Sequence, residues 1–310
     1  MRSRLAHAAP YLVHLFTMVL WGGGALISKD AYRFVSPGRL LFFRFAIGAL
    51  CLLALSARSL RRLTRRDLTL AAACGALITA AFLLDMYGLK YTTPAKNGFL
   101  IDSLWFFVPL ILLVFFRRIP SRRQLLCIAV AAAGLFMISL WGSDLTLATG
   151  DALSFAAGFF YGMNAVVFER YFKKDGPVLA FTGVQFLFTA LLLLAVTLCM
   201  DGPSFAMSRD TLTALLPVVL YMSLGASVLA WGLRNFVLTH MDARHYSVLA
   251  SLGPVVTSLM SAIFGFERLG WPFAVGALLI VGATVLDTLY TTSPPSTEKE
   301  KGRSHDLHEG

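Results

Sequence analysis

Residues 98–109 read GFLIDSLWFFVP, with the ionisable Asp102 inside an otherwise apolar run. A carboxylate in such a run can bind an amine or a proton, or it can anchor a neighbouring base. Asp85, in TAAFLLDMYGLKY, is a second acid of this kind, nearer the end of its own apolar run and so also readable as a solvated rim acid. Two neighbouring interior acids suit proton carriage or amine binding. Arg44 is the basic counterpart: a guanidinium stays charged and can grip a carboxylate with two parallel hydrogen bonds. It can pair with Asp102 or Asp85, or hold the carboxylate of a ligand. Helical spacing places Gly98, Asp102, Trp105, Phe106 and Pro109 on one stripe, and Tyr11, His14, Met18, Trp21 and Ala25 on another. Trp21 and Trp105 then read as walls of a cavity, and His14 as a packed residue or a ligand contact. Asn164 and Gln185 are polar residues in apolar runs; interhelical hydrogen bonding is their ordinary role and ligand contact the alternative. Pro109 and Pro254 are candidate helix breaks that would free backbone carbonyls beside a cavity. Ser247, Ser251 and Ser258 read as a close-packing face, and Glu267 and Arg268 as a solvated pair.

Catalytic constellations are missing from the sequence. It contains no HExxH, no GxGD, no GxxxxGK[ST] and no Cys/His cluster of metal spacing. The four cysteines, Cys51, Cys74, Cys127 and Cys199, lie in apolar runs and read as small packing residues. No metal, cofactor or ATP motif is implied, so active transport would draw on an ion gradient, with protons as a coupling ion, or on exchange.

The elements that must position these residues follow from composition. Hydrophobic residues make up 57% of the 310, charged residues 14%, and the mean hydropathy is +0.71. A soluble chain carries roughly a quarter charged residues. The sequence predicts an all-α integral membrane protein with ten transmembrane helices, at roughly 11–31, 37–57, 68–89, 97–116, 124–142, 150–171, 178–200, 211–236, 245–265 and 271–291. The fourth window can insert despite Asp102. An acid near a helix centre costs about 2.5–3.5 kcal/mol on the insertion scale, and each Leu, Ile, Phe or Val returns about 0.3–0.6; residues 97–116 hold 14 of these four types. Asp102 should then face protein or water, not lipid.

The net charge of +10 comes from basic clusters between the apolar runs, such as the arginines of 58–66 and 117–123. This pattern points to cytoplasmic loops of a membrane protein and away from nucleic acid. Alternating ten spans puts 18 Lys and Arg on the side of the termini and 6 on the other. Both termini should therefore be cytoplasmic, in a multi-pass protein of the inner or plasma membrane. Arg2 and Arg4 precede what reads as an uncleaved first span, and 292–310 reads as a disordered cytoplasmic tail.

The two halves echo one another. GLKYTT meets GLRNFV 144 residues later, and Pro109 and Pro254 are 145 apart. Repeats at 8–143 and 150–291, each with an odd number of spans, must insert with opposite topology, giving two inverted five-helix repeats. The chain resembles EamA-type members of the drug/metabolite transporter superfamily over nearly all of residues 8–291. The resemblance is carried by Trp21–Gly22, SPGRLLFFRF with Arg44 at the family's second-span arginine, GLKYTTPAKNGF, SLGPVVTSLMSAIFGFERL and GALLIVGATVL. It implies a central cavity moving small polar or amphipathic metabolites, often outward. Two positions depart from the family pattern: Gly253 stands where many relatives carry a glutamate, and Asp102 where many are uncharged.

The expectation is a secondary transporter working by alternating access, with the lipid bilayer and a small-molecule substrate as its partners and the oligomeric state left open. An amino-acid-like or amine-bearing metabolite is favoured, moved outward, with Asp102 on the cationic group or proton and Arg44 as counter-charge. The alternatives are an intramembrane enzyme, which would need Asp85 and Asp102 as facing acids, and a non-transporting membrane sensor.

Overall fold

The computed structural model describes residues 2–31, 34–92, 94–142, 146, 148–173, 175–204, 209–265 and 269–292, and among these it contains helices and no strand. The polar tail from Ser293 and the Glu267–Arg268 pair lie outside the described residues. In chain order the helices are α1 (Arg2–Ala31), α2 (Pro37–Leu55), the single turn α3 (Ala57–Leu60), α4 (Arg65–Tyr91), α5 (Pro94–Ile101), α6 (Leu104–Phe116), α7 (Arg122–Ser139), α8 (Thr149–Tyr171) and α9 (Val178–Asp201). Then follow α10 (Arg209–His240), α11 (Ala243–Ala250), α12 (Gly253–Ile263) and α13 (Trp271–Thr292).

Among the described residues seven stretches are long and apolar enough to cross a membrane: α2, α4, Asn97–Phe116 across α5 and α6, α7, α8, α9 and α10. The other three windows are not matched over their full length among the described residues. The ninth is split between α11 and α12, and the tenth offers the shorter apolar stretch Trp271–Asp287. Large apolar side chains such as Leu50, Phe115 and Leu278 stay exposed, as suits a surface facing lipid.

Local chemistry sets the helix starts. Ser36 caps α2, accepting from the Arg39 amide at 3.3 Å, with Pro37 in the first turn where its missing N–H costs nothing. Thr64 and Asp67 close a reciprocal capping box on α4, and Ser121 and Gln124 close another on α7. The box starts α4 at Arg65, three residues ahead of the predicted window.

Packing follows a paired pattern. α2 lies along α9, α4 along α8 and α7 along α13, while α1 packs on α10 and α12 just as α8 packs on α4 and on α5–α6. Between α7 and α13 the backbones touch through glycines. A Cβ on Gly134 would stand 2.7 Å from the Gly276 carbonyl oxygen, and one on Gly276 2.5 Å from that of Gly134. Small residues permit this approach where lipid offers no hydrophobic drive. Phe45, Phe82, Phe186 and Trp231 form the aromatic centre between α2, α4, α9 and α10.

Candidate functional site

Asp102 does not lie on a continuous helix. The fourth window breaks at Asp102–Ser103, between α5 and α6. The Ser103 hydroxyl donates to the Leu100 carbonyl, and its amide reaches the same oxygen at 3.2 Å. Side-chain capture of a nearby carbonyl competes with helix continuation. The second half repeats the device. Ser251 Oγ donates to the Val248 carbonyl at 2.6 Å, its amide reaches that oxygen at 3.2 Å, and the chain turns between α11 and α12. Pro254 lies in the first turn after that break. Pro109 does not: it lies inside α6, and the break falls ahead of that helix, at the serine. The stripe expected for Asp102, Trp105 and Pro109 is therefore interrupted.

At the break the Asp102 carboxylate is half-buried and faces Gly253, whose Cβ, if it had one, would lie 3.8 Å from Oδ2. Among the described residues the carboxylate has no hydrogen-bond or ion-pair partner. It lies within charge reach of Asp85, Tyr161 and Tyr246.

Asp85 is placed differently. It is buried rather than a solvated rim acid, and it is held. Asn97 Nδ2 lies 3.1 Å from its Oδ1 and 3.0 Å from Ser154 Oγ, and the Tyr161 hydroxyl donates to Oδ2 at 3.3 Å. This network ties α4, α5 and α8 together.

Arg44 is 4% exposed and reaches across to the other half. Residues 221–229 of α10 are wound as a π-helix, a form common at functional sites because it frees backbone groups. Arg44 Nε donates to Ser227 Oγ at 2.6 Å and Nη2 to the Ala226 carbonyl at 3.3 Å, while Trp21 Nε1 donates to that same carbonyl at 3.0 Å. The guanidinium also stands 4.8 Å from the Phe82 ring centroid and within charge reach of Asp85.

A further network was not expected from the sequence. Arg234 donates through Nη1 to Asn164 Oδ1 and Asn235 Oδ1, both at 2.9 Å. Asn164 in turn donates to the Cys74 carbonyl at 3.1 Å, and Asn235 to Gln185 Oε1 at 3.3 Å. Asn164 and Gln185 thus meet through residues the sequence reading passed over. The signal was present: Arg234 is a charge inside the eighth predicted window. His14 packs its ring 4.7 Å from that of Tyr246 and 6.4 Å from that of Trp21, next to this network. Trp105 stands apart, buried with Leu135, Val255 and Ile280 rather than lining the interior shared by the others.

The profile of the EamA-like transporter family matches residues 9–140 and again residues 148–288. The chain belongs to the EamA-like transporter family. Membership makes it a multi-pass membrane transporter rather than an enzyme. An uncharacterised transporter of Archaeoglobus fulgidus is 26% identical over 291 residues, 90% of this chain and 96% of that one. The threonine/homoserine exporter RhtA of Salmonella typhimurium is 24% identical over 301 residues, 94% and 95% of the two chains. A solved crystal structure superposes with a TM-score of 0.73 at 20% identity, covering 91% of this chain and 97% of that one, which speaks to fold alone.

Proposed function

We propose that the chain is a secondary exporter of amino-acid-like or amine-bearing metabolites, built of two inverted five-helix repeats in the cell membrane and working by alternating access. The repeat reading is supported by the family profile matching once in each half. It is supported too by the mirrored packing, with α1 on α10 and α12 answering α8 on α4 and α5–α6, and by a serine-marked helix break in each half. Broken helices near the midplane are where secondary transporters place their sites.

The observation that carries the substrate reading is Asp102. An acid in the membrane interior is costly and is ordinarily matched; this one has no partner among the described residues and lies at a helix break. It is suited to a substrate ammonium, or to a coupling proton when the substrate has left. The RhtA relatives, named for threonine and homoserine export, support an amino-acid-like cargo and an outward direction.

The test is ligand-dependent thermal unfolding of the purified protein in detergent, with amino acids, amines, nucleosides, sugars and sugar phosphates. A ligand at 100 times its Kd stabilises by about 2.7 kcal/mol. Amino acids or amines should stabilise wild type and not Asp102→Asn. If another class alone stabilises the protein, or if Asp102→Asn responds as wild type does, the reading fails.

A further inference from the structure

Arg234 is 3% exposed, and its partners are neutral. Nη1 serves two carboxamide oxygens, and the guanidinium lies 4.9 Å from the Trp231 ring centroid and 5.4 Å from that of Tyr246. Among the described residues no carboxylate stands at ion-pair distance from it. Amide and aromatic neighbours solvate a cation without neutralising it.

The surroundings lack the same thing. Trp231 Nε1 and Gln185 Nε2 are buried polar atoms without hydrogen-bond partners among the described residues. Both can only donate. Buried donors left idle beside an unmatched cation describe a place for an anion. Asp102 has the opposite want, a carboxylate with no donor among the described residues. Tyr246, a neutral hydrogen-bond partner of Arg234 with its ring centroid 5.4 Å from the guanidinium, also lies within charge reach of Asp102, so the two charges flank one tyrosine without forming an ion pair. Arg44 does not fill this role, because its Nε and Nη2 are committed to the π-wound stretch of α10.

We propose that Arg234 binds the carboxylate of the transported molecule, assisted by the Trp231 and Gln185 N–H donors, while Asp102 takes its ammonium. The proposal rests on the amino-acid reading above and sharpens it. The cargo must carry both termini free, because a ligand lacking either one leaves one of the two interior charges unmatched. Arg234, buried as it is, is reached when the two halves part.

The test compares L-leucine, L-phenylalanine and L-threonine with their methyl esters and their N-acetyl derivatives, by ligand-dependent unfolding and calorimetry of the full-length protein. Wild type should bind the free amino acids and discriminate against both derivatives. Arg234→Gln should weaken the amino acids about 10- to 100-fold, as expected when a charge-assisted hydrogen bond is lost, and leave the esters where they were. Unchanged ester binding also reports an intact fold. Trp231→Phe should weaken the amino acids about tenfold, again sparing the esters. If Arg234→Gln binds amino acids as wild type does while Asp102→Asn does not, the assignment of Arg234 falls and the transport reading stands. If none of these compounds shifts wild type, the amino-acid reading falls and takes the assignment with it. Should Arg234→Gln not fold, Trp231→Phe decides: lost preference for acid over ester upholds the proposal, and an unchanged preference overturns it.

Discussion

Asn97 shows how much one side chain can decide in this interior. Its amide group serves Asp85 Oδ1 and Ser154 Oγ, and it also comes within 3.3 Å of the Asp85 carbonyl. Asn97→Leu keeps the branching of the side chain and removes every one of these donors. Leaving a buried acceptor unsatisfied costs about 1–3 kcal/mol, so the variant should unfold at a clearly lower temperature in detergent than wild type; an unchanged midpoint would show that Asp85 does not depend on it. The sequence made Asp85 and Asp102 visible because a carboxylate in an apolar run is conspicuous. It did not reveal that one is held and the other is not, since that depends on Asn97, Ser154 and Tyr161 arriving from two other helices. Arg234 was equally visible in type. It was absorbed into the repeat GLRNFV, where its charge counted as part of a pattern and not as a cost to be explained.

At the level of helices, the caps and the apolar windows were legible, because both are local. The breaks were legible only in part. Proline marked the one before Pro254, but serine marks both, and a serine in an apolar run is an ordinary residue until its hydroxyl is seen on the carbonyl three positions back. Contacts between helices were not legible at all, and glycines illustrate why. Gly134 and Gly282 both lie in apolar helices, yet a Cβ on Gly134 would meet the Gly276 carbonyl oxygen and Ile280 Cγ1 at 2.7 Å, whereas one on Gly282 would meet nothing within 4 Å. Gly134→Ala should therefore force α7 from α13 and cost about 1–3 kcal/mol, the usual range for overpacking. Gly282→Ala should be neutral or slightly stabilising, since alanine is the better helix former. Unfolding of the two variants side by side checks this, and equal effects would mean that the α7–α13 contact does not depend on the missing Cβ of Gly134.

Across the whole molecule, charge and repeat constrain each other. If the two halves are inverted copies, each surface loop in one half has a counterpart on the opposite face in the other. Only the distribution of Lys and Arg then says which face is cytoplasmic. The arginines of 58–66 and 117–123 fall on one face under ten spans, and the turn at Gly202–Ser204, after α9, falls on the other. Single cysteines at Ser59 and Ser204 separate the two, in a background where Cys199, the exposed native thiol, is replaced together with Cys51, Cys74 and Cys127. A membrane-impermeant maleimide added to intact cells should label Ser204→Cys and spare Ser59→Cys until the membrane is opened. Under ten spans the chain would cross between these sites along α4, along α5 with α6, and along α7, α8 and α9. That is an odd number of passages, so labelling of both from outside would mean that one of these windows does not cross. Were that window in the first half, the second copy would enter with the same orientation as the first, and Arg44 could not meet the π-wound stretch of α10 as a contact between inverted halves. Labelling of Ser59→Cys alone would keep the repeats but turn the molecule over, placing the basic face outside and reversing the side from which Asp102 and Arg234 are first reached.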